Sequence, residues 1–207
     1  MRINKLALTN FRSYNSLELD LEPGVTTFVG DNGSGKTNIA ESLIYLAFLS
    51  SHRVANNVPL ISLGNQQAII RAEVQRDDRT LQIDLEINAT KANRARINGN
   101  PTRSQRELLG AIQIVYFSPE DLDLVRGEPG NRRDFLDRLL ITRTPRLAGV
   151  IADYERVVKQ RNALLKTRSS ASALVPWNEQ LIKFGAQLTA DRIALVEALN
   201  PWVTKNY

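Results

Sequence analysis

The chain of 207 residues is long enough for one full core and a smaller appendage, and its 43% hydrophobic content is typical of a globular protein of one or two domains. No apolar run approaches the roughly 18 residues that span a bilayer, and the N-terminus is too polar for a signal peptide, so a cytoplasmic protein is expected. With no cysteine and one histidine, the chain has no disulfides or thiolate metal sites, and zinc or a His-based triad is disfavoured. Any metal should be a hard cation bound through oxygen.

The formal net charge of +5 is concentrated in one segment of the chain. Residues 126–168 hold 11 Lys or Arg and 5 Asp or Glu, and the remainder is almost neutral. A basic surplus confined to one segment indicates a polyanionic partner.

The first 50 residues predict a hairpin followed by a strand, a loop and a helix. The hairpin is indicated by apolar residues that alternate with polar ones at Leu6, Leu8, Leu17, Leu19 and Leu21. After a Pro-Gly turn, Val25–Val29 (VTTFV) is predicted to be a fully buried strand. From Thr37 the apolar residues recur at helical spacing at Ile39, Leu43, Leu46 and Ala47.

The middle of the chain predicts an antiparallel sheet inserted after this helix. Residues 67–88 alternate twice around a DDR turn, and Asn98-Gly99 marks a second hairpin. Residues 112–117 (IQIVYF) are predicted to form a buried strand, and residues 118–133 a loop with one short helical turn.

The last 70 residues predict an antiparallel helical hairpin. Two apolar stripes recur at helical spacing, the first from Leu147 to Leu165 and the second from Trp177 to Trp202, with Asp191 in one expected apolar place. Pro176 suits a first helical turn after a loop, and both tryptophans are predicted core residues. The predicted domains are 1–136 and 137–207, with the boundary near Asp137.

The stretch GDNGSGKTN carries the clearest chemistry. It fits the pattern G-x-x-x-x-G-K-[ST] in full between the predicted strand and helix. Glycines let successive backbone N–H groups point at phosphates, Lys36 can reach the β- and γ-phosphates, and the Thr37 hydroxyl can ligate Mg²⁺. The predicted ATP-binding residues are Gly30, Asp31, Asn32, Gly33, Ser34, Gly35, Lys36, Thr37 and Asn38.

Other polar residues leave two interpretations open. Arg12 is either a surface arginine or a residue that folds back over the nucleotide. The acidic residues of PEDLD could be metal ligands or helix caps, and Arg132-Arg133 could bind phosphate or pair with those acids. His52 is predicted to be a local hydrogen-bonding group.

The basic run in the first arm helix also has two interpretations. It is either a solvated helix face or a nucleic-acid contact, and the candidate DNA-binding residues are Arg156, Lys159 and Arg161.

Several stretches in fixed order together resemble the RecF family of bacterial recombination and replication-repair proteins. They are NFRSY, GDNGSGKTN, SSHR, INGNPTR, FSPEDLDLVRGEPGNRRDFLD, YERVVKQRNALLK and WNEQL. The resemblance implies an α/β fold, a P-loop NTPase head of the ABC-ATPase type akin to SMC heads, followed by a helical second lobe.

The resemblance also implies a function. In that family ATP drives head-to-head dimerisation, and the homodimer binds DNA with gaps or single-strand/double-strand junctions. It helps to load recombinase with RecO and RecR, in gap repair, fork restart and the SOS response. Carried over, Gly30–Asn38 would bind ATP and Mg²⁺, Arg12 would lie near the nucleotide, and SSHR near the dimer-facing side. The full-length protein would be a weak, DNA-stimulated ATPase.

One departure from the family pattern is large. An ABC-type head needs a carboxylate pair after four apolar residues and a signature of the LSxGQ kind, and neither occurs in this sequence. The set of catalytic residues in this chain is therefore incomplete. We expect the chain to be the N-terminal part of a longer protein, and we expect this part alone to bind ATP weakly at most and not to turn it over. The alternatives are a P-loop phosphotransferase of a small substrate and an SMC-like structural head.

Overall fold

The structure is a computed structural model that describes residues 1–51, 53–54, 56–168 and 170–206. It consists of two compact units, Met1–Tyr116 and Phe117–Tyr207. The first unit contains β1 (Arg2–Phe11), β2 (Tyr14–Asp20), α1 (Lys36–Phe48), β3 (Gln67–Arg76), β4 (Arg79–Asn88), β5 (Arg94–Ile97) and β6 (Asn100–Pro101). The second contains α2 (Asp123–Arg126), α3 (Pro129–Arg143), α4 (Leu147–Lys166) and α5 (Ala171–Asn206). This division precedes the boundary predicted near Asp137, because α3 is uninterrupted there.

The strands form one six-stranded antiparallel sheet in the order β2-β1-β3-β4-β5-β6. The predicted hairpins are confirmed, with Leu8 opposite Leu17 in the first and Ile70 opposite Leu85 in the second. The sheet is not a separate insertion, since β1 also pairs with β3, which places Leu8 opposite Ile70. The N-terminal hairpin and the strands after α1 are therefore one continuous sheet.

One face of this sheet and helix α1 share the core of the first unit. Strand residues at alternate positions point to the same face, so the period-two pattern buries a complete apolar row. The buried side chains of this core include Leu6, Leu8, Phe11, Ile70, Val74, Ile83, Leu85 and Ile87 from the strands, and Ile39, Tyr45, Leu46 and Ala47 from α1. Burying one such Leu or Ile side chain contributes about 2 kcal/mol.

Two predicted strands do not form. Val25–Val29 and residues 112–117 are outside every strand, and Val25 and Val115 are 96% and 102% exposed. Both segments line one cleft of about 310 Å³ beside the start of β1, through Thr26 and Ile114. An extended segment becomes a strand only when its backbone hydrogen-bonds to a neighbour, and no described strand pairs with either segment. The apolar, β-branched composition of these segments indicates a tendency to form strands, but it does not show whether a neighbouring strand is present to pair with them.

The second unit contains the predicted antiparallel helical hairpin. Arg161 of α4 hydrogen-bonds Asn178 of α5, and Gly185 of α5 lies against Tyr154 of α4. The contacts therefore run in opposite directions along the two helices. The core of this unit is Leu140, Leu147, Ile151, Leu188 and Leu195. None of the described helices is long and apolar enough to cross a membrane.

The second helix of the hairpin differs from its prediction at both ends. Helix α5 begins at Ala171, so Pro176 lies inside it and not in its first turn. The Ser170 hydroxyl accepts a hydrogen bond from the Ala173 N–H at 3.4 Å, which favours the earlier start. Trp202 is 67% exposed and not a core residue. Leu147, the first residue of α4, and Leu195 belong to the same core, and Trp202 lies about two helical turns beyond Leu195 on α5.

Candidate nucleotide-binding site

The glycine-rich loop lies immediately before α1 and turns sharply at two of its glycines. Gly33 and Gly35 have φ of 84° and 97°, in the left-handed region that side chains disfavour. The Ser34 N–H donates to the Asp31 carbonyl at 3.2 Å, which closes the turn. In the first turn of α1 the Asn38 N–H donates to the Gly35 carbonyl at 2.8 Å, whereas the N–H groups of Lys36 and Thr37 precede the first hydrogen bond of the helix and are available to an anion.

Lys36 places its charge within this loop. Its ammonium donates to the carbonyl oxygens of Gly30 and Asp31 at 2.7 and 2.6 Å. Thr37, the next residue, is exposed in the first turn of α1. A cation, exposed N–H groups and a hydroxyl thus converge on one short segment. This arrangement suits a phosphate chain that carries a hard divalent cation.

A buried carboxylate lies one helical turn after Thr37. Glu41 is fully buried and accepts a bidentate pair of hydrogen bonds from Arg12 Nε and Nη2, at 2.8 and 2.5 Å. It also accepts hydrogen bonds from the Ser51 hydroxyl at 2.5 Å and from Arg53 Nη1 at 3.2 Å. Because Arg12 belongs to the β1–β2 turn, Glu41 connects that turn, Ser51 and Arg53 to the helix that follows the loop.

Asn38 connects this network to the loop. Its side-chain amide donates to Ser13 Oγ at 3.0 Å, and its side-chain oxygen accepts from Arg53 Nη1 at 3.1 Å. A Cβ added to Gly35 would lie 2.7 Å from the same Ser13 hydroxyl. The loop, the β1–β2 turn and Arg53 are therefore in mutual contact.

The environment of Glu41 keeps its carboxyl group ionised. Burial is the largest influence and raises the pKa of Glu41, but the hydrogen bonds from Arg12 and Ser51 and the charges of Arg12 and Arg53 together outweigh it. The pKa of Glu41 is therefore lower than its ordinary value.

We expect this carboxyl group to make the unit less stable in acid. The ionised form is favoured by folding, so its contribution is present above the ordinary glutamate pKa of about 4.3 and is lost as pH falls through the lowered folded pKa. Urea unfolding measured from pH 6 to pH 3 should show a falling midpoint for the wild type. The Glu41→Gln variant should lose part of this pH dependence, and an unchanged profile would contradict the assignment.

The sequence predicts that Arg12, in NFRSY, lies near the nucleotide and that SSHR, which contains Ser51 and Arg53, lies near a dimer-facing side. It predicts no contact of Ser51 or Arg53 with the site, and it makes no prediction for Glu41. The one signal for Glu41 was an acidic residue on the arc of α1 that also contains the buried Ile44 and Tyr45. His52, predicted to be a local hydrogen-bonding group, lies outside the described residues.

The candidate DNA-binding residues lie on α4, in the second unit. Arg156 is largely exposed and pairs with Asp153 at 3.1 Å, and Lys159 is exposed. Arg161 is partly buried and donates to the Asn178 side chain at 2.7 Å. The structure thus places Arg156 and Lys159 at the surface, whereas Arg161 joins the two helices of the hairpin.

The charged segment before α3 forms local contacts. The Asp121 carboxylate accepts from the Ser118 N–H at 2.6 Å, which is a helix-start cap, and the side chain of Glu120 lies outside the described part. Arg132 Nη1 donates to the carbonyl oxygens of Leu124 and Gly127 at 3.0 and 3.2 Å, at the end of α2. In the described ranges no group of three or more His, Asp or Glu side chains could hold a metal ion.

Comparison with known proteins agrees with this geometry. A family model described as an AAA ATPase domain matches residues 1–171. The DNA replication and repair protein RecF of Streptomyces avermitilis is 49% identical over all of this chain and 58% of its own length. The RecF of Kineococcus radiotolerans is 50% identical over 96% of this chain and 53% of its own length. The chain thus spans little more than half the length of these curated relatives.

Solved structures show the same relationship at the level of the fold. The recombination mediator protein RecF-ATPrS in the RecFOR pathway is 26% identical, with a TM-score of 0.88 over 96% of this chain and 55% of its own. A structure from work on ATP-driven dimerization and DNA stimulated activation of SMC ATPases has a TM-score of 0.52, over 66% of this chain and 98% of its own. At 22% identity, this similarity concerns the fold alone. The ABC-type ATPase head fold is confirmed. The chain belongs to the AAA ATPase domain family and, across its whole length, is similar to RecF proteins.

Proposed function

We propose that this chain supplies the P-loop part of an ATP-dependent DNA-binding protein of recombinational repair and replication-fork restart. The observation that carries the proposal is the loop from Gly30 to Thr37, in which Lys36 and exposed N–H groups converge ahead of α1. The RecF relatives, some solved with ATP or ATPrS, support ATP as the ligand and DNA repair as the setting.

The residues of the loop have separate tasks in ATP binding. The backbone N–H groups between Gly30 and Gly35 hold the phosphate oxygens, and Lys36 neutralises the charge of the β- and γ-phosphates. The Thr37 hydroxyl would hold Mg²⁺, which when bound would neutralise charge on the phosphates. Arg12, fixed on Glu41, adds positive potential near the nucleotide.

The action on DNA depends on two copies of the protein. ATP acts as the switch for head-to-head dimerisation, and the dimer binds gapped DNA or a single-strand/double-strand junction. RecO and RecR are its proposed partners in recombinase loading, in the cytoplasm, during gap repair and the SOS response. The exposed Arg156 and Lys159 on α4 are the candidate phosphate contacts of this chain.

We expect the intact protein to bind a gapped duplex in an ATP-dependent manner, with log affinity falling linearly against log salt concentration. The variant Lys36→Ala should lose at least about tenfold of the ATP-dependent gain, because it removes a charge-assisted contact to the phosphates. Fluorescence anisotropy of labelled DNA, with and without ATP, measures both quantities. Equal binding with and without ATP in the wild type would refute the proposal.

The same assay tests whether α4 contacts DNA, by reversing the charge of two of its exposed side chains. The double variant Arg156→Glu and Lys159→Glu should make the plot of log affinity against log salt concentration less steep, by the amount that corresponds to the loss of about two phosphate contacts. The matched control is Arg94→Glu with Arg96→Glu, two exposed arginines on β5. An unchanged slope for the α4 pair, together with a flattened slope for the β5 pair, would assign DNA contact to the sheet unit instead.

A further inference from the structure

The network around Glu41 holds more positive than negative charge. Arg12 meets both carboxylate oxygens of Glu41, and one guanidinium is sufficient to balance one buried carboxylate. Arg53 brings a second guanidinium to the same carboxylate, at 3.2 Å. Balancing Glu41 does not require Arg53, so the charge of Arg53 is a surplus beside the phosphate-binding loop.

The two arginines are held in different ways. Arg12 is 16% exposed, and its third nitrogen, Nη1, donates to the Pro59 carbonyl at 2.8 Å, so its guanidinium is fixed on all sides. Arg53 is 42% exposed and is held through Nη1, which donates to both Glu41 and Asn38. Among the described residues, the Nε and Nη2 edge of Arg53 is left for another acceptor.

The anchors of Arg53 lie close to where phosphates would bind. Asn38 directly follows Thr37, and its backbone N–H donates to the Gly35 carbonyl at 2.8 Å. A planar guanidinium that is pinned at one nitrogen keeps its orientation, and it loses less rotamer entropy when it contacts an anion.

We propose that Arg53 is a further contact for the anionic ligand of the loop, and that Glu41 is its positioning residue. Glu41 and Asn38 hold Nη1 of Arg53, so that the opposite edge of the guanidinium donates to a phosphate oxygen of the nucleotide, either in the same subunit or across a dimer. Arg12 stays on Glu41 and fixes the carboxylate. The inference rests on the proposed ATP binding and extends it by naming these two side chains.

The first test is ATP affinity, measured by isothermal titration of MgATP into the intact protein. Arg53→Ala should weaken ATP binding about tenfold, since it removes a charge-assisted hydrogen bond. The matched control is Arg71→Ala, which removes a guanidinium that is 52% exposed and pairs with Asp84 on the sheet. An Arg53→Ala affinity within twofold of the Arg71→Ala value would overturn the proposal.

The second test separates positioning from simple charge. Glu41→Gln removes a negative charge beside the site, so an effect of charge alone would tighten ATP binding. Loss of positioning predicts the opposite sign, a weakening of about fivefold to tenfold. In the Arg53→Ala background Glu41→Gln should weaken ATP binding less than it does in the wild type, because the part of its effect that acts through Arg53 is already lost. Additive effects, or tighter binding by Glu41→Gln, would overturn the positioning role.

These outcomes are distinct from a failure of the proposed function. If the wild-type protein binds no ATP, or if Lys36→Ala binds as well as the wild type, the proposed function fails. If Lys36→Ala loses ATP while Arg53→Ala and Glu41→Gln keep it, the role of the loop stands and the role of Arg53 is refuted. Thermal melting of each variant shows whether it is folded, and the exposed Arg53→Ala is expected to melt close to the wild type.

Discussion

Replacing Arg192 with alanine is expected to lower the free energy of unfolding of the helical unit by about 3 kcal/mol. Arg192 on α5 makes a bidentate contact to Asp137 on α3, at 2.8 and 2.7 Å. The two side chains are only 18% and 13% exposed, so the variant leaves a mostly buried carboxylate without its cation. The hydrogen bonding that Arg192 donates to the Asp137 carboxylate is the largest influence on the pKa of Arg192 and raises it.

A matched pair and a double variant make this result decisive. The exposed pair of Arg156 and Asp153 is an ion pair in the same unit, and Arg156→Ala should cost less than about 1 kcal/mol. Replacing both partners of the buried pair, by Asp137→Leu and Arg192→Met, should recover most of the loss, because no charge is then left unpaired. Urea unfolding followed by circular dichroism measures all three. If Arg192→Ala and Arg156→Ala lowered the free energy of unfolding equally, the buried pair would stabilise the unit no more than the exposed pair does.

The second large effect is expected for Gly35→Ala, in the loop proposed to bind phosphate. Gly35 has φ of 97°, which costs an alanine about 1–2 kcal/mol. The added Cβ would also lie 2.7 Å from Ser13 Oγ and 2.8 Å from Tyr14 Oη, closer than van der Waals contact allows. Relief requires the β1–β2 turn and the loop to separate, which moves the backbone N–H groups. We expect ATP affinity to fall more than tenfold and unfolding free energy to fall by about 2 kcal/mol.

The control for this variant is a glycine that also has a positive φ but has no close neighbour. Gly64 has φ of 84°, and a Cβ there would meet nothing within 4 Å. Gly64→Ala should therefore cost about 1 kcal/mol and leave ATP affinity unchanged. The difference between the two variants isolates the contact with Ser13 and Tyr14. If Gly35→Ala behaved like Gly64→Ala in both assays, close packing of the loop would not contribute to the site.

The local patterns in the sequence were sufficient for the elements whose partners lie nearby. Alternating apolar residues predicted the hairpins because each strand pairs with its neighbour along the chain. The spacing of Gly30, Gly35 and Lys36 predicted the loop, since that chemistry depends on residues within one turn of backbone. Helical periodicity similarly predicted α4 and most of α5.

The features that sequence reasoning missed depend on residues that are distant along the chain. The apolar composition of Val25–Val29 indicated a strand, but a strand also needs a hydrogen-bonded neighbour, which composition does not report. The contact of Glu41 with Arg12 and Arg53 joins three segments. An acidic residue on the buried arc of α1 indicates that Glu41 needs a partner, but a single sequence does not identify which residues supply it. Trp202 sits on the predicted stripe, yet its burial depends on the place where α4 begins.

The exposed segment Val25–Val29 leads directly into the phosphate-binding loop, so the loop is anchored through α1 and Glu41 but not through a sheet on its other side. Restricting the backbone of one residue costs about 1–2 kcal/mol, so pairing this segment with a neighbouring strand carries a cost for each residue that it restricts. A polypeptide that paired with Val25–Val29 would bear this cost in advance and would strengthen nucleotide binding. By thermodynamic reciprocity, bound nucleotide would strengthen that pairing by the same factor. Pairing of a strand with this segment and binding of nucleotide to the loop are therefore thermodynamically coupled, so each event favours the other.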